Sequence, residues 1–472
     1  MLGSTFWLTL ATLIGLVAGF AREWLLIDAW GASLRSDAFL VALFLPEAVR
    51  MAFATGLFSS AALPLYQERD AAQREAWLSA LTGRVLGCAL LITLLFHVAA
   101  PLWVMLIGPG LSDEGRMLAM QSLQLLAWCV PGFMLHALLC IPLQAHARFV
   151  LAGLGSLLFN LPPVIYLAVA GEQATPSGLA SSCLLGSWLM PMALLPAMRG
   201  MGWRPWRPWR VQADRDCGQQ LLRRLGPLLA STMASQGLAL LERMIASLLG
   251  EGAVTWLNFA RKLINLPMIA LMSLNQVLLG LMGGKSEQER LALLRRGTAM
   301  ATLLTVPVAV GLVGAAEPLI QLLLPSQASG GVLAALLGWL GLTLLFAAWN
   351  ALLARYAYAV GDTRLPLACE LSGNALNVVF LMILPWILGL KGIALAALLG
   401  VLLTGFLLMR KQRLLASLDW KRQWGLGLAM PALALLIPLS VPLGWWQLGS
   451  TVAISGLLMV LLAAWLRPWR AA

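Results

Sequence analysis

The stretch GFAREWLLID, residues 19–28, sets Arg22 and Glu23 side by side within an apolar run, and LPEAVRMAF, residues 45–53, sets Glu47 and Arg50 one helical turn apart. Both pairs interrupt runs long enough to cross the ~30 Å hydrocarbon core of a bilayer. The chain around them has 472 residues, 60% of them hydrophobic and only 11% charged. Soluble domains carry about 25% charged residues, and the mean hydropathy here is +0.84. The fold class that follows is an all-α polytopic membrane protein, and the charges inside it need a reason.

Working outward, apolar segments bounded by glycine, proline or charge clusters give fourteen expected transmembrane helices, at 4–27, 37–65, 84–106, 117–143, 150–170, 177–198, 225–249, 253–281, 297–323, 332–355, 366–387, 391–409, 425–443 and 449–466. With both termini on one side, Lys and Arg sort strongly: 24 fall on that side and three (Arg35, Arg116, Lys391) on the other. Cytoplasmic loops hold the excess of Lys and Arg, so both termini are expected in the cytoplasm. The net charge of +12 is then a topology signal and needs no nucleic acid to explain it.

An internal repeat is expected as well. Arg22–Glu23 precedes Leu45–Pro46 by nearly the spacing at which Glu242–Arg243 precedes Leu266–Pro267. The reading is a first six-helix lobe over 1–198, a basic linker over 199–224, a second six-helix lobe over 225–413, and two extra helices over 414–472. Six spans is an even number, so a pseudo-two-fold axis along the membrane normal relates the lobes, and transporter sites lie at such repeat interfaces. The linker contains WRPWRPWR (203–210), which reads first as an interfacial anchor of Trp and Arg and second as a docking motif. The six cysteines show no metal spacing and the three histidines do not cluster. They read as core residues, without a zinc site.

Five basic residues remain inside spans: Arg22, Arg50, Arg243, Arg261 and Lys262. A charge at a span's centre costs at least ~2.5 kcal/mol on insertion scales and normally faces a bundle interior or a wet cavity. Neighbours on a helix point about 100° apart, so Arg22 and Glu23 are each expected to need a partner elsewhere, or a ligand. Glu47 and Arg50 have the spacing of an intrahelical pair. Arg261 and Lys262 have no acid within four residues, which points to an anionic ligand. Pro46 and Pro267 lack an amide donor and suit a flexing gate. In CELSGNALN (369–377), Glu370, Asn374 and Asn377 share a helix face, where they fit either Na+ or H+ coupling or plain interhelical hydrogen bonds.

Around these charges, GFARE followed by WGASLRSDAFLVALFLPEAVRMAFATGLFSSAALPLY (30–66) resembles the opening of the MviN/MurJ lipid II flippases, within the multidrug/oligosaccharidyl-lipid/polysaccharide exporter superfamily. Further matches are LIGPGL (106–111), LGPLLASTMASQ (225–236), ARKLINLP (260–267) and YAVGDTRLP (358–366), so the resemblance covers nearly the whole chain. It implies alternating access around a cationic cavity whose arginines hold the pyrophosphate and sugar of a polyprenyl-linked precursor. The last two helices would form a groove for the lipid tail. By resemblance Arg22 matches an essential arginine, Glu23 stands for an aspartate, and Asp37 matches the aspartate opening span two. Arg50 matches an arginine of span two and Lys262 takes the place of one in span eight.

The departures are Leu16 for a second arginine, Thr55 for a glutamate, Asn265 for an acid, Arg261 for an aspartate and Glu47 for an asparagine. Having lost an arginine and two acids, the pocket is expected to carry an undecaprenyl-linked exopolysaccharide unit, with lipid II for peptidoglycan as the alternative. The expected substrate-binding set is Arg22, Glu23, Asp37, Glu47, Arg50, Arg243, Arg261 and Lys262. The expected partners are the polyprenyl-pyrophosphate-linked saccharide, membrane lipids, and polysaccharide or peptidoglycan synthesis proteins. No cofactor is expected beyond a Na+ or H+ gradient or the membrane potential. A drug or organic-cation antiporter is the nearest rival and would want an acidic, aromatic cavity. A membrane glycosyltransferase would need acids or His on a sizeable exterior loop, and the exterior connections here are short.

Overall fold

The structure is a computed structural model that describes all residues except 1, 54–56, 147, 202–214, 283–284, 326–329, 416–428, 431–443 and 467–472. Among the described residues every regular element is a helix. The chain packs into two compact units, 1–255 and 256–472. The WRPWRPWR linker motif, Thr55 and nearly all of the expected thirteenth span lie outside the described residues. Every other expected span coincides with helix.

The first unit runs α1 Leu2–Trp30, α2 Leu34–Phe53, α3 Leu57–Gln67, α4 Ala71–Val98, α5 Ala100–Ile107, α6 Asp113–Leu126, α7 Cys129–Ala145, α8 Phe149–Gly153, α9 Gly155–Ala170, α10 Pro176–Gly200 and α11 Arg215–Leu248. The remaining helices are α12 Ala253–Met282, whose first turn still belongs to the first unit, α13 Glu287–Gly314, α14 Ala316–Leu323, α15 Gly330–Tyr358, α16 Arg364–Leu381, α17 Leu384–Leu388, α18 Leu390–Lys411 and α19 Trp445–Leu466. Among the described residues eight helices are long and apolar enough to cross a membrane. The charge-bearing α1, α2, α11 and α12 are not among the eight.

Local chemistry explains several helix starts. Asp70 caps α4 and Ser286 caps α13, each in a reciprocal box with the third helical residue, Gln73 or Glu289. Both helices are 28 residues long, and each is followed by an eight-residue helix, α5 or α14. Pro46 sits inside a continuous α2.

Glycines set which helices meet. In a membrane, close approach of backbones at small residues replaces the hydrophobic drive. On α1, Gly15 and Gly19 form a small-residue stripe against Ser156 and Asn160 of α9; a Cβ at Gly15 would lie 2.8 Å from Ser156 Cβ, and one at Gly19 3.3 Å from Asn160 Nδ2. The opposing helix α10 brings Gly186 so near that a Cβ there would stand 2.4 Å from the Phe159 carbonyl oxygen. Gly155, at the start of α9, is equally tight against His136 of α7. α9 is therefore clamped by α1, α7 and α10, with Phe159 at the centre of the clamp.

The second unit has its core around Leu345, Phe346, Trp349 and Leu352 of α15, packed on Val306 and Val310 of α13. Trp349 Nε1 donates to Thr302 Oγ1 at 3.0 Å. α19 docks on α13 through a buried Gln447, whose Nε2 donates to the Gly314 carbonyl at 3.0 Å. The described cysteines are free, and all but Cys88 are buried, as expected of core residues.

Candidate functional site

The first unit gathers five of the expected residues into one charged cluster. Arg22 and Glu23 come from α1, Glu47 and Arg50 from α2, and Arg243 from α11. Arg22 Nη2 lies 2.6 Å from Glu23 Oε1 and 3.8 Å from Glu47 Oε1, and Arg50 Nη2 lies 3.1 Å from the same Glu47 oxygen. The expectation that Arg22 and Glu23 cannot pair is therefore corrected. Both side chains are long enough to swing across the angle between them, and in an apolar interior the uncompensated charges would cost far more than that bend.

Burial grades the cluster. The Arg22 and Glu23 side chains are 1% and 2% exposed, whereas Arg50 and Glu47 retain 14% and 15%. Arg22 is sealed behind Glu47, and Arg50 with Glu47 forms the accessible edge. Arg22 Nε and Nη1 and Arg50 Nε are buried and make no hydrogen bond among the described residues. Each such donor costs roughly 1–3 kcal/mol.

An aromatic floor, absent from the sequence reading, completes the cluster. The Phe159 ring lies 5.6 Å from the Arg22 guanidinium carbon and 5.2 Å from that of Arg50. Phe133 meets the same ring edge-on at 5.1 Å. Both arginines are within the ~6 Å at which a ring face attracts a cation. Arg243 repeats the arrangement, with its guanidinium 4.8 Å from the Phe44 ring and Nη1 donating to the Leu40 carbonyl at 2.9 Å. Glu47, Glu23 and the buried Glu242 lie within electrostatic reach of Arg243. No feature of SLLFNLPP (156–163) marks Phe159 in advance, because its partners come from three other helices.

Asp37 stands apart from this cluster as a helix cap. Its carboxylate accepts from Gly252 N at 2.7 Å, from Thr255 N at 2.8 Å and from Thr255 Oγ1 at 2.5 Å. Leu34 N in turn donates to Glu251 Oε1 at 2.7 Å. The starts of α2 and α12 thus cap each other, each with an acid at the positive end of the other helix.

Arg261 and Lys262 lie half-buried on α12 in the second unit, both engaged with neighbouring groups. On α16, Glu370 and Asn374 are exposed and Asn377 is buried against Gly400 of α18, so the three residues of the expected coupling face do not share one environment. Among the described residues no group of three or more His, Cys, Asp or Glu could hold a metal ion.

The sequence profile of the family described as "Lipid II flippase MurJ" matches residues 27–464. The chain is 29% identical to "Lipid II flippase MurJ" of Burkholderia cenocepacia over 65% of its own length and 63% of the relative's. It is 27% identical to "Probable lipid II flippase MurJ" of Rhizobium meliloti over 88% of its length and 80% of that protein. The chain thus spans a little under two thirds of the first of these relatives. Among solved structures it is similar to "Lipid II flippase MurJ, inward closed conformation", with a TM-score of 0.83, 20% identity and 98% of each chain covered. It is also similar to an inward-facing multidrug resistance MATE family transporter of the MOP superfamily, with a TM-score of 0.71, 15% identity and 87% and 95% covered.

These structural likenesses establish the all-α membrane-protein fold. The names favour the peptidoglycan alternative over the exopolysaccharide role expected first. On the span of residues matched, the chain belongs to the MurJ family.

Proposed function

We propose that this protein carries lipid II, the polyprenyl-pyrophosphate-linked peptidoglycan precursor, from the cytoplasmic to the periplasmic leaflet of the bacterial inner membrane by alternating access. One observation carries the reading: Arg22 and Arg50 converge on an apolar floor with three buried N–H donors that no described protein group satisfies. A pyrophosphate presents several charged oxygens in the geometry that guanidinium forks match. Pyrophosphate and sugars cannot cross hydrocarbon unaided, whereas the polyprenyl tail prefers to stay there. The head group therefore rides in the protein while the tail remains in lipid. Arg243, in the same cluster, belongs to the same proposal as a further phosphate contact.

The test is rescue of cells depleted of their own lipid II flippase. Wild-type protein should restore viability. Arg22→Ala is a poor probe, because it would leave Glu23 buried without its partner and cost several kcal/mol. Arg22→Lys keeps the charge but loses the fork, and Arg50→Gln keeps the volume at the accessible edge. Both should reach the membrane at normal abundance and fail to rescue. Failure of abundant wild-type protein to restore viability overturns the reading.

A further inference from the structure

Away from the arginine cluster, the first unit holds a cavity of about 290 Å³ where the ends of α3, α7 and α10 meet the start of α4. Tyr66, Arg74, Glu75 and His146 line it, together with the apolar Leu78 and Met198. It lies on the side to which the excess of Lys and Arg assigns the cytoplasm. α10, with 25 residues, measures ~37 Å at ~1.5 Å per residue and so outruns the ~30 Å hydrocarbon core. Its last turn, with Met198, reaches the headgroup layer.

The arginines beside the cavity are fixed in place. Arg74 Nε donates to the Tyr66 carbonyl at 3.1 Å and Nη2 to the Gln67 carbonyl at 3.0 Å, which caps the last turn of α3. Its guanidinium carbon stands 5.5 Å from the Tyr66 ring, which itself leans on Trp77 at 6.1 Å. Arg69 Nη1 donates to the Leu65 carbonyl, and its guanidinium stands 5.3 Å from the Trp77 ring. One cation would serve the end of α3, and there are two. The nearby acids are engaged: Glu68 lies 3.6 Å from Arg224, Asp70 caps α4, and Glu75 interacts with neighbouring groups. Arg74 Nη1 is left with its N–H groups unspent among the described residues. His146 Nδ1 meets the Pro142 carbonyl at 2.8 Å. A carbonyl only accepts, so Nδ1 carries a proton and Nε2 is the ring nitrogen left for a ligand.

We infer that this cavity binds the phosphate of a phosphate ester, as a second anion site separate from the arginine cluster and independent of the proposed function. Guanidinium N–H groups match phosphate oxygens, and Arg74 offers Nη1 from a position that three contacts already hold, so little ordering remains to be done on binding. His146 Nε2 donates to the same phosphate when the ring carries both protons. The volume is near the lower end for small-ligand sites, roughly 300 Å³, which suits a phosphate with the first atoms of its ester. A lipid headgroup at this depth and a soluble phosphate ester present the same chemistry.

The experiment photolabels the full-length protein in nanodiscs with two probes: phosphatidylglycerol carrying a diazirine on its headgroup, and glycerol phosphate carrying the same group. Adducts are mapped by peptide mass spectrometry. Wild type should be labelled within residues 66–78, 142–146 or 198–201, the segments that line the cavity. Arg74→Gln and His146→Ala should each lower that labelling about tenfold at equal abundance, the scale of one lost hydrogen bond to a charged group. His146 is exposed, so its variant keeps the fold even if Arg74→Gln loosens the end of α3. Arg50→Gln should label like wild type. Labelling by the lipid probe alone makes this a headgroup site, and labelling by the soluble probe makes it a site for a free ester; either supports the inference. No adduct in these segments from either probe overturns it. So does labelling that Arg74→Gln or His146→Ala leaves unchanged, or that Arg50→Gln abolishes.

Discussion

Gly186→Ala should disable the cluster from a distance. A methyl group at residue 186 would lie 2.4 Å from the Phe159 carbonyl oxygen, where ordinary contact begins near 3.4 Å, so α9 and α10 must separate there by about 1 Å. α9 has little room to recede, since the gaps at Gly15 of α1 and between Gly155 and His136 of α7 are likewise too narrow to admit a Cβ. Overpacking of this kind costs ~1–3 kcal/mol. Phe159 is carried along with the backbone. A displacement of ~1 Å takes its ring from 5.2 and 5.6 Å to the edge of the ~6 Å range in which it attracts the two guanidiniums. Each such contact, desolvated, is worth up to ~2 kcal/mol.

The assay is thermal unfolding of the purified protein beside rescue of flippase-depleted cells, with Gly87→Ala as the control. A Cβ at Gly87 meets nothing within 4 Å, and alanine there gains up to ~1 kcal/mol of helix propensity. Gly186→Ala should melt lower than wild type and transport poorly, while Gly87→Ala should match wild type or exceed it. Equal stability and equal rescue for the two variants would refute the clamp and, with it, the role given to Phe159.

Two further outcomes are expected. Asp37→Ala strands the Gly252 and Thr255 amides and the Thr255 hydroxyl at ~1–3 kcal/mol for each donor that water does not reach, so the melting temperature should drop clearly. Asp37→Asn, which still accepts, should fall between Ala and wild type, and an unchanged Asp37→Ala would show that the cap carries no load. Reporter fusions after residue 290 should read cytoplasm and those after residue 110 periplasm, as the distribution of Lys and Arg requires; a periplasmic signal at 290 would reverse the assigned orientation.

Much of this molecule was legible along the chain. Hydropathy located the spans, because crossing hydrocarbon is a demand on each twenty-residue window by itself. The insertion cost of a buried charge singled out Arg22, Arg50 and Arg243 for the same reason: a charge among apolar neighbours is visible without knowing what lies across from it. Capping boxes at Asp70 and Ser286 are likewise local, three residues end to end. What those charges touch was a different matter. The Arg22–Glu23 pair was misread, because side-chain directions on an ideal helix say nothing about how far a long side chain bends when no water is there to receive it. What Asp37 touches was equally hidden, since its three donors, more than 200 residues away, belong to a helix start. Phe159 was invisible, since its place beneath two arginines depends on how closely α1 and α10 approach α9. That approach is decided by Gly15, Gly19 and Gly186 meeting backbone and small side chains on another helix, and such complementarity exists only once the helices are packed.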